Sequence, residues 1–141
     1  MSHAPVVVVP ALVRRGIYAH ARRERPRECC GLLVGSAGRI AFAVACANTA
    51  AEPTRYRVDE RQHLDLRRIL RTTFPALHII GVYHSHPYGD PVPSPTDVAE
   101  AYYPAWIYLI VGLGSRAAMK GYRIHDGHVR LMQVSSAPSK R

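Results

Sequence analysis

Apolar positions along the chain switch between a helical period and short unbroken runs, and the switches predict the order of elements. Val6 to Val9 is a β-branched run and predicts a strand. Pro10 suits a first helical turn, and Leu12, Val13, Ile17 and Ala21 recur at helical spacing. A helix is therefore expected to about Arg25, where Pro26 helps stop it. Cys29 to Val34 and Arg39 to Ala47 are apolar runs around Gly35-Ser36-Ala37-Gly38, the pattern of a hairpin. Asn48 to Pro53 reads as a loop and Arg55 to Val58 as a short strand. Asp59 to Phe74 predicts a second helix with Leu66, Leu70 and Phe74 as its inner stripe.

Leu77 to Tyr83 predicts a buried strand. His84 to Pro95, with four prolines, is expected to be loop for most of its length. A short helix over Pro95 to Tyr102 and a strand over Trp106 to Val111 follow, the latter turned by Gly112-Leu113-Gly114. Ala117 to His125 and His128 to Val134 form a closing hairpin across Asp126-Gly127. No repeat or linker interrupts the series. One mixed α/β domain over residues 1–134 is expected, with 135–141 as a frayed tail.

Composition narrows the class. A chain of 141 residues, 48% hydrophobic, has the size and apolar content of one cored domain. No apolar run approaches the roughly 20 residues of a membrane-spanning helix. Met1 to Val13 holds two prolines and lacks a basic leader, so it reads poorly as a secretory signal. Three cysteines, Cys29, Cys30 and Cys46, are too few and too irregular for a disulfide framework, which points to a reducing cytoplasm. Cys29 and Cys30 adjoin on a strand and face opposite ways, so buried small hydrophobes are their expected role. The net charge is +9, with arginines clustered at Arg14, Arg15, Arg22, Arg23, Arg25 and Arg27 and again at Arg67, Arg68 and Arg71. Such clusters suit either a solvated helix face or an acidic partner. Nucleic acid is disfavoured, because the chain has no zinc finger, RNP-type aromatic strand or phosphate-cradling loop.

The chemistry concentrates in His84-Ser85-His86-Pro87 and Ser94-Pro95-Thr96-Asp97. On an extended strand His84 and His86 project to one face. Ser94 can cap the next helix, Pro95 fits its first position, and Asp97 falls in its first turn, able to reach back toward the imidazoles. Two histidines and one carboxylate leave a fourth position for water, the pattern of a catalytic zinc site. Zinc lowers the pKa of such a water from about 15.7 to about 7. Glu28, at the mouth of an apolar strand, is the candidate base. Taken singly, each of these residues has an ordinary reading: a surface histidine, a cap, a helix-start carboxylate. The combination carries the inference. Tyr88 and Trp106 suit either a substrate groove or simple packing. His3, His20, His63, His78, His125 and His128 read as ordinary.

Glu28, then His84-Ser85-His86-Pro87, six variable residues, Ser94, two residues and Asp97 closely resembles the signature of the JAMM (MPN+) metalloprotease family. Glu28-Cys29-Cys30-Gly31-Leu32-Leu33-Val34-Gly35 and Arg55-Tyr56-Arg57-Val58-Asp59 resemble segments of its compact prokaryotic members. The resemblance implies a mixed sheet partly closed like a barrel and flanked by helices, as in the cytidine deaminase-like architecture. It implies one zinc held by His84, His86 and Asp97, Glu28 as general acid/base, and Ser94 as a donor to the developing oxyanion. It implies hydrolysis of a peptide or isopeptide bond after the C-terminal Gly of a ubiquitin-like protein. Eukaryotic deubiquitinases of the family carry insertions that grip two ubiquitins. The corresponding segments are short here, so a small sulfur-carrier protein is the expected substrate class. The alternative is a non-catalytic MPN-type scaffold, but those usually lack a ligand and none is missing. A nucleoside deaminase would need His-x-Glu and Pro-Cys-x-x-Cys, both absent. Elemental analysis of the purified protein should find about one zinc per chain, and a protein purified without metal would favour the scaffold.

Overall fold

The computed structural model describes residues 4–137. Its elements run β1 (Val6–Val8), α1 (Ala11–Glu24), β2 (Cys30–Ser36), β3 (Arg39–Cys46), α2 (Glu60–Thr73), β4 (His78–His86), α3 (Pro95–Ala99), β5 (Ile107–Gly112), β6 (Ala118–His125) and β7 (His128–Ser135). The strands close into a barrel in the order β1, β3, β2, β4, β5, β6, β7. β1 is parallel to both of its neighbours and β4 is parallel to β5; the remaining pairs are antiparallel. The family resemblance implies partial closure. The ring closes because the short β1 bridges β7 and the start of β3 through Val8 and Arg39.

Turn chemistry explains both hairpins. Ala37 and Gly38 have φ of 49° and 74°, and Asp126 and Gly127 have 51° and 78°. Positive φ at both central residues is what a tight hairpin with the native strand twist demands. Alternation along β4 then sorts the packing. Tyr83 joins Leu33, Leu109 and Val111 in a core that receives Ile17 and Ala21 of α1. Val82 joins Tyr108, Ile110 and Ile124 on the other face, where Tyr56, Val98 and Trp106 pack. Leu66 and Leu70 of α2 cover Leu32 and Val34.

Four expectations shift. Arg55 to Val58 is no strand; only an isolated bridge joins Asn48 to Val58. The Asn48 side chain takes the place of a strand partner: its amide donates to the carbonyls of Glu28 and Arg55, and its oxygen accepts from the N–H groups of Ala50 and Arg57. β4 runs on through His86, because Ser85 and His86 keep pairing with Val111 and Gly112 of β5. α3 stops at Ala99 rather than Tyr102, and the chain beyond it is pinned where the Tyr108 hydroxyl accepts from the Tyr103 N–H and donates to the Tyr103 carbonyl. Phe74 is the C-cap of α2, 45% exposed and edge-on to Phe42, rather than part of the inner stripe. Of the expected tail, Ser135 ends β7, and residues 138–141 lie outside the described residues.

Close strand packing requires glycine at 81, where a Cβ would stand 2.3 Å from the Ile107 carbonyl oxygen. A Cβ on Gly16, at an exposed position of α1, meets nothing within 4 Å. Gly81→Ala should therefore destabilise the protein by at least about 1–3 kcal/mol. Gly16→Ala should stabilise it by up to about 1 kcal/mol. Urea denaturation of both variants checks the contrast.

Candidate metal centre

Strand pairing builds the site. β2 pairs antiparallel with β4 so that Cys30 lies opposite His84, which brings the residue at the mouth of β2 alongside the end of β4. The Ser85 side chain points away from the two imidazoles and is fully buried. Its hydroxyl accepts from the Cys29 N–H at 2.8 Å, and its own N–H donates to the Cys29 carbonyl at 3.2 Å. Glu28 is held in turn by its N–H, which donates to the Pro53 carbonyl, and by its carbonyl, which accepts from Asn48.

Asp97 arrives from the other side on α3. Ser94 is the N-cap and Pro95 the first helical residue. The Ser94 hydroxyl accepts from the Asp97 N–H at 3.0 Å while the Ser94 N–H donates to Asp97 Oδ2 at 2.9 Å, a reciprocal capping box. That box fixes the carboxylate. Asp97 Oδ2 lies 3.2 Å from His84 Nε2 and 3.1 Å from His86 Nε2, and the two nitrogens are 3.2 Å apart. Glu28, 6% exposed, completes a group of four whose donor atoms lie within 4.8 Å of one another.

These distances test whether a zinc ion fits. With metal–nitrogen bonds of about 2.0–2.1 Å, a tetrahedral site has ligand–ligand edges of about 3.3–3.4 Å. The triangle of His84, His86 and Asp97 matches that size to within a few tenths of an ångström. His86 Nδ1–H donates to the Asp90 carbonyl at 2.8 Å, which leaves the Nε2 lone pair of the neutral ring facing the shared point. His84 is buried and stacks on the Tyr56 ring, with centroids 4.2 Å apart and planes 18° off parallel. Glu28 Oε1 is buried with no hydrogen-bond partner, a carboxylate oxygen that awaits one.

The electrostatics divide the carboxylates. Burial pushes the Glu28 carboxyl up to about 7; His86 pulls it back and Asp97 pushes it further. Burial also acts to raise Asp97, but without metal the hydrogen bonds with His84 and with His86 in its protonated form outweigh it and hold Asp97 well below the usual range. Two acids pushed in opposite directions suit different tasks, one a permanent anion and the other a proton carrier near neutral pH. Burial lowers His84. On His86 the same desolvation is outweighed by hydrogen bonds with Asp97 and Asp90, and its pKa rises.

All five residues singled out from the sequence thus converge. The structure adds Tyr56, Ser85 and the Asp90 carbonyl, whose roles depend on ring stacking and strand register that no local pattern reveals. Cys29 and Cys30 are free and buried, and burial lifts the Cys29 thiol to about 11 and Cys30 higher still, in keeping with a packing role. His20 is a core residue bonded to the Tyr83 hydroxyl at 2.7 Å, and His3 lies outside the described residues. Tyr88 is exposed beneath the Arg25 guanidinium, whereas Trp106 stacks on Tyr103.

Sequence comparison gives the class. A family described as prokaryotic homologs of the JAB domain matches residues 10–125, and the chain belongs to it. It is similar to the CysO-cysteine peptidase of Mycobacterium tuberculosis, 35% identical over 128 residues that span 88% of this chain and 86% of that one. It is also similar to the desampylase of Haloferax volcanii, 36% identical over 69% of this chain and 73% of the relative. Among solved structures, a protein of Desulfitobacterium hafniense superposes with a TM-score of 0.81 at 26% identity, over 92% of this chain and 90% of that one. The chain is accordingly an enzyme of the peptidase or isopeptidase class.

The Glu28 environment makes a pH prediction. A carboxyl whose pKa folding raises contributes stability below its unfolded value of 4.5, and that contribution is lost as pH rises through about 7. Gln cannot ionise. In chelator-treated protein, Glu28→Gln should therefore gain stability relative to wild type as pH climbs from about 4.5 to about 7 and level off above that, by urea denaturation at several pH values. A difference that stays constant with pH would contradict the burial account.

Proposed function

We propose that the chain is a zinc-dependent peptidase, its catalytic domain residues 1–134, that cleaves after the C-terminal Gly of a ubiquitin-like or sulfur-carrier protein. The observation that carries this is the convergence of His84, His86 and Asp97 at tetrahedral spacing beside a buried carboxyl raised to about 7. The three residues would hold the metal, whose bound form supplies Lewis acidity at the scissile carbonyl and a more acidic water. The names of the relatives support the substrate class: a CysO-cysteine peptidase, a desampylase, and a probable TtuB-protein conjugate cleaving protease of Thermus thermophilus.

Each protein group has a separate task. The Glu28 carboxylate takes a proton from the attacking water and returns it to the leaving nitrogen. A pKa near neutrality suits both halves of that cycle. The Ser94 hydroxyl oxygen is occupied by the Asp97 N–H, which leaves its own proton free to donate toward the carbonyl oxygen as negative charge grows there. Asp97 stays ionised throughout, oriented by the capping box. His86 keeps the tautomer that the Asp90 carbonyl selects.

The three free cysteines support a reducing, cytoplasmic setting, and among the described residues no helix is long and apolar enough to cross a membrane. The arginine-rich exterior suits an acidic carrier protein.

Glu28→Gln should abolish hydrolysis of a ubiquitin-like carrier carrying a C-terminal extension while retaining about one zinc per chain. Ser94→Ala should lower kcat by about 10²–10³-fold. Full turnover in the Glu28 variant would refute the acid/base assignment.

A further inference from the structure

A cavity of about 270 Å³ opens beside the metal centre, and its position follows from strand register. Side chains two apart on a strand share a face. Val82, which floors the cavity, therefore faces the same way as His84, about 6.6 Å along β4. Tyr108 of β5 pairs with Val82 and extends the floor. Tyr56 forms the partition, since it lines the cavity and its ring stacks on His84. Cavity and centre are thus neighbouring stations on one sheet face, separated by the thickness of one aromatic ring.

The lining selects its occupant. Leu32, Val58 and Val82 make an apolar base. Tyr103 and Trp106 stack with centroids 3.8 Å apart and form a rigid wall, since the Tyr103 backbone is fixed by both bonds to the Tyr108 hydroxyl. Tyr102 stands 73% exposed at the rim. The charged groups at the cavity offset one another: Arg57 and Glu60 are exposed, and Glu100 is paired with Arg55, while the lining His63 ring packs against Tyr103 and Trp106 and burial lowers its pKa, which favours the neutral ring. A cation would meet arginine and an anion would meet glutamate. An apolar side chain meets aromatic faces.

We propose that this cavity is a specificity subsite that takes one large apolar side chain of the substrate, two residues along the chain from the scissile bond. An extended peptide advances about 6.6–6.8 Å over two residues, the same spacing that separates the cavity floor from His84. The subsite rests on the peptidase reading, because it is the scissile carbonyl at the metal centre that sets the register. Tyr102, Tyr103 and Trp106 are its specificity-determining residues.

Trp106 is the single tryptophan of the chain and reports directly on the cavity. The zinc-loaded protein is titrated with acetyl-Ala-X-Gly-Gly peptides in which X is Phe, Leu, Gln, Arg or Glu, the glycines leaving X as the one large side chain. The Phe and Leu peptides should change Trp106 emission saturably and bind at least about tenfold more tightly than the Gln peptide. Tyr102→Ala, at an exposed position, should keep the wild-type circular dichroism and lose most of that difference. Equal binding of all five, tighter binding of Arg or Glu, or no saturable change with any peptide would overturn the subsite. Binding is read without turnover. A missing preference alongside an inactive Glu28→Gln variant defeats the subsite alone, and an active Glu28→Gln variant defeats the mechanism while the binding result stands.

Discussion

The antiparallel pairing of β2 with β4 is the constraint on which the site depends. It joins Cys29 and Ser85, 56 residues apart, through two buried hydrogen bonds at the point where both strands leave the barrel. Glu28 precedes the one and His84 and His86 flank the other, so a single register sets the distance from the Glu28 carboxyl to the imidazoles. A slip by one residue would turn both imidazoles into the core and bring Ser85 to the site. The register is held on the far side by β5, which pairs in parallel with β4 from Gly81 to His86. The requirement for glycine at 81 belongs to the same constraint, because that pairing leaves no room for a side chain.

The local half of the site was legible in the sequence. The capping sequence Ser94-Pro95-Thr96-Asp97 forms the cap it predicts, since serine, proline and aspartate each act on backbone groups within three residues. The two His at alternate positions share a face for an equally local reason, and Asp126-Gly127 turns the hairpin it signals. What escaped the pattern depends on partners far along the chain. Arg55 to Val58 has strand composition but is bonded by the Asn48 side chain and by Thr49, whose N–H donates to the Arg57 carbonyl, instead of by a neighbouring strand. β4 outlasts its apolar run because β5 goes on supplying partners. Closure of the barrel through Val8 and Arg39 has no sequence signal, since one residue pair completes it. Tyr56 stood in a recognisable segment, yet only the folded chain shows its ring against His84.

Burial turns this arrangement into chemistry. A carboxyl at the surface would be fully ionised at neutral pH and a poor donor to a leaving amine; desolvation brings Glu28 to where it can accept and release a proton in one cycle. Asp97 is nearly as buried, but hydrogen bonds with two imidazoles and with the Ser94 N–H stabilise its ionised form. The aromatic cavity proposed as a subsite lies along the same sheet face, with Tyr56 both lining it and stacking on His84. Arg14, Arg15, Arg22 and Arg23 lie on α1 and Arg67, Arg68 and Arg71 on α2, and none of them lines the cavity.

Two imidazoles and one carboxylate, with no cysteine, are proposed to hold zinc. X-ray absorption at the zinc edge of the loaded protein tests this most directly. The expected spectrum has a first shell of nitrogen and oxygen at about 2.0–2.1 Å that includes two histidines and lacks sulfur. A sulfur shell at about 2.3 Å would contradict it, since the only sources of thiolate are the cysteines assigned to the core.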